Sequence, residues 1–260
     1  MNSLIKIQDC SVQGGTKKYL DRVDWCMNAG EAWLVIGPNG GGKADFIKAL
    51  SGSMQFVPNI RPAHEINGGS EAPLYSSRYS DSVAVVSLEA AASLIEEERE
   101  RDESEYMDKE DAGRTGRQYI CEVLGGSSKK NAPLPPIAAR LETMPQVKLC
   151  GIEKILDRGL RYMSTGEIRR TLLCRALLSG AGLLVLSDPF AGLDATSRAI
   201  LLEFFDSIVR RQLDSSSEDS GFPRIILSME RFHEIPSAIN RVIEFSNKKI
   251  SFEGSREEYE

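Results

Sequence analysis

The chain has 260 residues, with 38 acidic against 32 basic side chains and a net charge of −6. That length holds one large α/β domain or two small ones around a sizeable core, and the acidic balance gives no sequence-wide basic footprint for nucleic acid. No apolar run approaches the ~20 residues of a membrane span, and Met1-Asn2-Ser3-Leu4-Ile5-Lys6 lacks the basic and apolar regions of a signal peptide, so a cytosolic chain is expected.

Leu4 to Gln8 and Val23 to Asn28 are strand-length apolar runs separated by the turn-prone Gly14-Gly15-Thr16. They predict an antiparallel layer leading into a buried strand, Ala32-Trp33-Leu34-Val35-Ile36. After it come Gly37-Pro38-Asn39-Gly40-Gly41-Gly42-Lys43-Ala44 and a helix opening at Asp45 to Leu50. This strand, glycine-rich loop and helix match G-x-x-x-x-G-K-[ST] at every fixed position except the last. Glycines let backbone N–H groups wrap a phosphate without Cβ atoms in the way, and Lys43 with the helix N-terminus supplies positive charge. Ala44 stands where a hydroxyl would coordinate Mg²⁺. The alternative reading is a glycine-rich turn that only joins strand to helix.

Arg61 to Asp81 reads as loop, and Val83 to Val86 as a buried strand. Ala90 to Ile95 is helix-prone and runs into the charges Glu96 to Glu103, read as a solvated helix face. Gly125 to Pro136 is a second loop, while Arg117 to Leu124 and Ile137 to Leu156 have helical periodicity. The middle of the chain, about 90 to 180, is thus predicted as a helical lobe inserted between strands of a single domain spanning 1–260. Thr165 to Leu178 carries a helical apolar stripe, Leu183 to Leu186 is an apolar strand of the parallel-sheet kind, and Ala195 to Leu213 is amphipathic. After the flexible Asp214 to Gly221 come strands at Arg224 to Leu227 and Val242 to Phe245. Lys248 to Phe252 pairs with the latter as a hairpin around Ser246-Asn247. Strands alternating with helices imply a mainly parallel sheet covered on both sides. Cys10, Cys26, Cys121, Cys150 and Cys174 are scattered without a C-x-x-C pair and read as reduced thiols used as small apolar residues.

Tyr162-Met163-Ser164-Thr165-Gly166-Glu167 resembles the LSGGQ signature of ATP-binding-cassette (ABC) nucleotide-binding domains. The block from Ser187-Asp188-Pro189-Phe190 to Ala191-Gly192-Leu193-Asp194 looks like that family's Walker B and D-loop. Within the family, the signature stretch, Arg169 to Leu177 and the tail Arg231-Phe232-His233-Glu234-Ile235-Pro236 look closest to the first cassette of ModF-like molybdate-transport and photorepair ATP-binding proteins. The resemblance implies a P-loop NTPase core with an N-terminal antiparallel β layer and an inserted helical lobe. It also implies ATP and Mg²⁺ as ligands, a second cassette as partner (another copy or a separate chain), and docking on a membrane permease that would place the chain at the inner face of the membrane. In such a family the signature and D-loop residues, here Ser164, Thr165, Gly166, Glu167 and Asp194, act on the partner's nucleotide, and molybdate as cargo follows from the resemblance alone.

The chain departs from the family pattern where its own site would hold metal and cleave ATP. Ser187 falls at the metal-linked Asp and Asp188 at the catalytic Glu, its carboxylate about 1.5 Å further back, a misplacement that costs roughly a hundredfold. The family's Gln position falls on Ser87, Leu88 or Glu89, and its switch His falls near Glu230; His233, three residues on, reads as an ordinary surface or half-buried helix residue. For the adenine-stacking aromatic, Tyr19 and a place nearer Gly14 or Gly15 stay open. Two functions follow: an ABC-type ATPase that hydrolyses weakly or only in a composite dimer site, or a hydrolysis-deficient regulatory or scaffold half that completes a partner's site. A decaying remnant, betrayed by poor folding, is the third.

Overall fold

The computed structural model describes residues 3–59, 72–101, 113–128, 132–190, 193–214, 223–230, 232 and 235–260, excepting the side chains at 197 and 211–214. Asp102 and Glu103 of the charge run, residues 61–71 of the first loop, 129–131 of the second, 215–221 of the flexible stretch, Ala191, Gly192, and Arg231, His233 and Glu234 of the tail lie outside the described residues. The chain divides into two compact units: Met1–Val83 with Gly182–Asp188 and Leu202–Glu260, and Ala84–Ala181 with Pro189–Leu201.

The first unit holds two sheets. In the antiparallel one, β1 (Ser3–Gly14) lies between β2 (Lys17–Asn28) and β4 (Gln55–Pro58), and also pairs with β5 (Leu74–Ser77). The predicted turn at Gly14-Gly15-Thr16 is the β1–β2 connection, with Gly15 at φ 60°. The strands run longer than their apolar cores suggest, because polar residues such as Lys17 and Lys18 continue the ladder on the exposed side. β5 corrects the expectation of loop from Arg61 to Asp81: Leu74–Ser77 forms a ladder with Ile5–Gln8, a long-range pairing to which local turn composition is blind.

The second sheet runs in the order β10 (Lys249–Ser255), β9 (Arg241–Ser246), β3 (Trp33–Ile36), β8 (Arg224–Met229) and β7 (Leu183–Ser187). The pairs of β3 with β8 and β9, and of β7 with β8, are parallel; the β9–β10 hairpin is antiparallel. Nearly every residue of β3, β7 and β8 is buried, as expected of parallel strands with both faces covered. Helix α1 (Lys43–Leu50) is anchored by Phe46, whose ring lies 5.3 Å from Trp25, 5.8 Å from Phe56 and 5.0 Å from Phe245. Residues of both sheets thus clamp the helix that follows the glycine loop, so hydrophobic burial of one ring fixes where the loop ends.

Strand β6 (Val83–Val86), at its predicted place, leads from the first unit into the second, which is helical. α2 (Leu88–Glu100) is capped by Ser87, whose hydroxyl accepts from the Ala90 N–H at 3.0 Å. The charge run is not wholly a solvated face. Glu98 is 1% exposed, accepting from the Arg114 backbone N–H at 3.0 Å and from Arg114 Nε at 2.5 Å. Arg114 reaches Glu97 and Glu122 with its remaining nitrogens, so this buried pair is fully hydrogen-bonded, the condition for a charge to sit inside a protein. The helical stretch expected over Ile137 to Leu156 is broken instead. A 3-10 segment Pro136–Thr143, α4 (Pro145–Cys150) and a turn at Glu153–Ile155 replace it, because Pro145 starts a new helix and Gly151, at φ 60°, ends it. A short helix, α3 (Gly116–Cys121), precedes these, and α5 (Thr165–Leu178) keeps its predicted bounds. α6 (Ala195–Asp214) continues from this unit into the first. The five cysteines are unpaired, four of them buried.

Candidate functional site

Gly37 leaves β3 at φ 144°, the Gly41 N–H closes a turn onto Pro38 O at 3.1 Å, Gly40 and Gly42 sit at φ 78° and 113°, and Gly42 caps α1. Gly42 has no side chain with which to cap, so the first amides of α1 point outward without a side-chain acceptor from their own helix start, the arrangement that favours an anion. The reason for the glycines is more specific than a clear path to phosphate. A Cβ at Gly37 would stand 2.2 Å from Phe245 O, one at Gly41 3.0 Å from the same oxygen, and one at Gly42 3.2 Å from Lys248 Cα. The β9–β10 hairpin runs along one side of the loop, and Lys248 N–H donates to Gly41 O at 2.8 Å. Only Gly40, with no atom within 4 Å of its missing Cβ, faces open space.

Lys43 is 5% exposed, and among the described residues it has neither an ion-pair nor a hydrogen-bond partner. The stem is buried while the ammonium at its tip is open to solvent. Set beside unsatisfied helix amides, it is what an anion site requires. Ala44, next in line, presents an exposed methyl.

β8 carries the rest of the first unit's site toward the loop. Ser228 on β8 pairs in register with Val35 of β3 and with Ser187 of β7, which sets Ser187 about 10 Å across the sheet from Val35 by the ordinary strand spacing. Asp188 follows at φ 45°, left-handed for a non-glycine residue, with its N–H donating to Ser228 O at 2.8 Å. Backbone held in that region is strained and persists only where its surroundings enforce it. Among the described residues, the buried Ser228 Oγ has no hydrogen-bond partner. Glu230, directly after β8, accepts from Asn39 Nδ2 of the loop at 2.5 Å. The sequence did not announce this contact, which joins residues 191 positions apart. A Mg²⁺ ion seeks several oxygen donors, including carboxylates. Ala44 offers carbon, Ser187 a hydroxyl, Asp188 a carboxylate on left-handed backbone, and Glu230 is tied to Asn39. The donor set lacks the loop hydroxyl that such a motif gives to this ion. Tyr19 is half-buried in β2 with Lys17 Nζ 5.0 Å from its ring centroid.

In the second unit, Ser164, Thr165, Gly166 and Glu167 start α5 in a reciprocal capping box. Ser164 Oγ accepts from the Glu167 N–H at 3.3 Å, Glu167 Oε2 accepts from the Ser164 N–H at 2.8 Å, and Arg158 pairs with Glu167 Oε1 at 2.8 Å. The cap holds Glu167's carboxyl below its ordinary value of 4.5, with the Ser164 N–H the largest cause. Gly166, Arg169, Pro189, Leu193 and Leu201 line one shallow groove, which brings the helix start beside the segment that ends in the exposed Asp194. Asp194 O accepts from Arg198 N–H at 3.0 Å as α6 begins.

A profile of the ABC transporter family matches residues 20–191. The chain is 30% identical over 234 residues to the ABC transporter ATP-binding protein ModF of Escherichia coli (strain K12), a match covering 89% of this chain and 40% of that protein. It is 26% identical over 260 residues, all of this chain and 48% of the relative, to an uncharacterized ABC transporter ATP-binding protein of Schizosaccharomyces pombe (strain 972 / ATCC 24843). The chain therefore spans less than half the length of either relative. A solved structure of an ATP binding subunit of an ABC transporter superposes with a TM-score of 0.65 at 16% identity, over 98% of this chain and 91% of that one, a likeness of fold.

Proposed function

We propose that this chain, which belongs to the ABC transporter family, binds the phosphates of ATP in the loop Gly37 to Lys43 and hydrolyses them weakly or only in a site completed by a second cassette. The observation that carries this reading is Lys43, whose stem is buried and whose ammonium, without a protein counter-charge among the described residues, opens to solvent at the start of a helix that has no side-chain cap. A phosphate supplies the missing negative charge to both. Phosphoryl transfer rests on positioning and charge neutralisation. The groups beside the loop are poorly equipped to provide either, being Ala44, Ser187, the strained Asp188, and Glu230 bound to Asn39.

That shortage supports the second reading, a hydrolysis-deficient half that completes a partner's site through Ser164, Thr165, Gly166, Glu167 and Asp194. The capping box shows that Ser164 serves its own helix, and a helix N-terminus so ordered remains available to an anion. A permease, a cytosolic position at the membrane face, and a cargo of the kind named for molybdate-type relatives belong to this proposal through the family alone.

ATP turnover by the purified chain, with and without Mg²⁺, beside Lys43→Ala and Asp188→Asn, separates the two. Mg²⁺-dependent turnover lost in both variants establishes the weak ATPase. Nucleotide binding without turnover, abolished by Lys43→Ala, establishes the deficient half. Binding that Lys43→Ala leaves intact refutes the phosphate loop.

A further inference from the structure

Glu230 is fastened to the phosphate loop itself. Asn39, exposed in that loop, donates to its carboxylate at 2.5 Å. The sheet dictates this meeting. Met229, the last residue of β8, pairs in register with Ile36, the last residue of β3, so both parallel strands end at the same edge. There β3 opens into the loop and β8 delivers Glu230. From Gly37 to Ala44 the loop carries one charge, that of Lys43, and Asp45 follows in the first turn of α1. Two carboxylates thus sit on or beside a cradle with one cation of its own.

We infer that the loop selects a nucleoside diphosphate over a triphosphate and holds it without a divalent cation, with Glu230 as the discriminating residue. The inference rests on the reading that Gly37 to Lys43 holds a nucleotide's phosphates. A triphosphate brings one more negatively charged group than a diphosphate to the mouth of the loop. Elsewhere a divalent cation compensates that charge. Here the loop hydroxyl is replaced by the methyl of Ala44, Ser187 offers a hydroxyl and Asp188 a carboxylate on left-handed backbone, while Glu230, fastened to the loop, repels the terminal phosphate. The bond to Glu230 also occupies the Asn39 amide, a donor that a terminal phosphate would otherwise use. A diphosphate keeps Lys43 and the helix amides while leaving the mouth to the Asn39–Glu230 pair. Repulsion between neighbouring unit charges, in surroundings between protein and water, amounts to about tenfold in affinity.

Isothermal titration of the purified chain with ADP and with ATP, in EDTA and again in Mg²⁺, tests this. ADP should bind about tenfold more tightly than ATP in EDTA, and its affinity should change less than about twofold on adding Mg²⁺. Glu230→Gln keeps the size of the side chain, removes the charge, and should tighten ATP until the two nucleotides bind alike. ATP binding as tightly as ADP to the wild-type chain, a preference reversed by Mg²⁺, or a ratio unchanged by Glu230→Gln would each overturn the inference. In those cases, loss of both nucleotides in Lys43→Ala would leave the phosphate-loop reading standing. Failure of either nucleotide to bind a chain whose circular dichroism shows an intact fold would remove that reading and the inference with it.

Discussion

Replacing Gly37 by alanine should damage the fold, whereas the same change at Gly40, three residues along the loop, should not. The Gly37 Cβ would stand 2.2 Å from Phe245 O, short of the 3.4 Å of ordinary contact by about 1.2 Å. The atom in the way is backbone, and it cannot turn aside. β9 is bonded to β3 on one side and β10 on the other, and the Phe245 ring is fully buried against Phe46. Relief therefore requires shifting a central strand. Overpacking of this kind costs about 1–3 kcal/mol or more, and a left-handed backbone adds roughly 1–2 kcal/mol for a residue with a Cβ. The sum, about 4 kcal/mol, is a large share of the ~5–15 kcal/mol that stabilises a typical domain. Gly40→Ala bears only the backbone term of roughly 1–2 kcal/mol, since nothing lies within 4 Å of the new methyl. Urea unfolding followed by tryptophan fluorescence reads both, Trp25 and Trp33 lying in the same core as Phe46. Equal losses in the two variants would show that the loop's glycines answer to the phosphate alone and not to the hairpin beside it.

Lys43→Met should abolish nucleotide binding and leave the stability of the nucleotide-free chain within about 1 kcal/mol, because an apolar chain of similar length replaces the buried stem and the lost ammonium has no protein partner among the described residues; a larger loss would mean that Lys43 has a structural partner. Glu98→Ala should lower stability by about 3–5 kcal/mol by stranding part of the Arg114 guanidinium, and thermal melts giving a loss below about 1 kcal/mol would refute that. Glu167 ionises more readily folded than unfolded, so its contribution is complete above its ordinary value of 4.5 and fades as pH falls through the lower folded value. Melting temperatures of the wild type and Glu167→Gln should therefore converge as pH falls through that lowered value and separate at neutral pH; a constant difference would refute the assignment. Ser164→Ala should remove the cap at about 1 kcal/mol and, in a mixed dimer with an active cassette, slow turnover at the partner's site; unchanged turnover would confine Ser164 to its own helix.

The glycine loop, α5 with its Ser-x-x-Glu start, and the apolar strands β3, β7 and β8 are legible in the sequence because their signals are local. Positive-φ positions demand glycine, a cap needs an oxygen three residues before a partner, and a strand buried on both faces is apolar throughout. The resemblance to ABC cassettes rests on such local blocks, and the family match agrees with it. What local signals omit is pairing between distant segments. β5 is invisible in the sequence because its ladder partner lies some seventy residues earlier in the chain. Glu98 reads as one more solvated charge until Arg114 arrives to bury it. The glycines of the loop call for a phosphate in sequence, and only the fold reveals the β9–β10 hairpin that also requires them. Likewise Glu230 is, in sequence, a residue of the wrong charge near an expected His. Its hold on Asn39 arises because two parallel strands of distant origin end at the same edge of one sheet. The sequence by itself determines the segments whose signal is local; the tertiary structure alone decides long-range ladders such as β5 and which charges meet, since Coulomb and contact forces act over a few ångströms of space and take no account of distance along the chain.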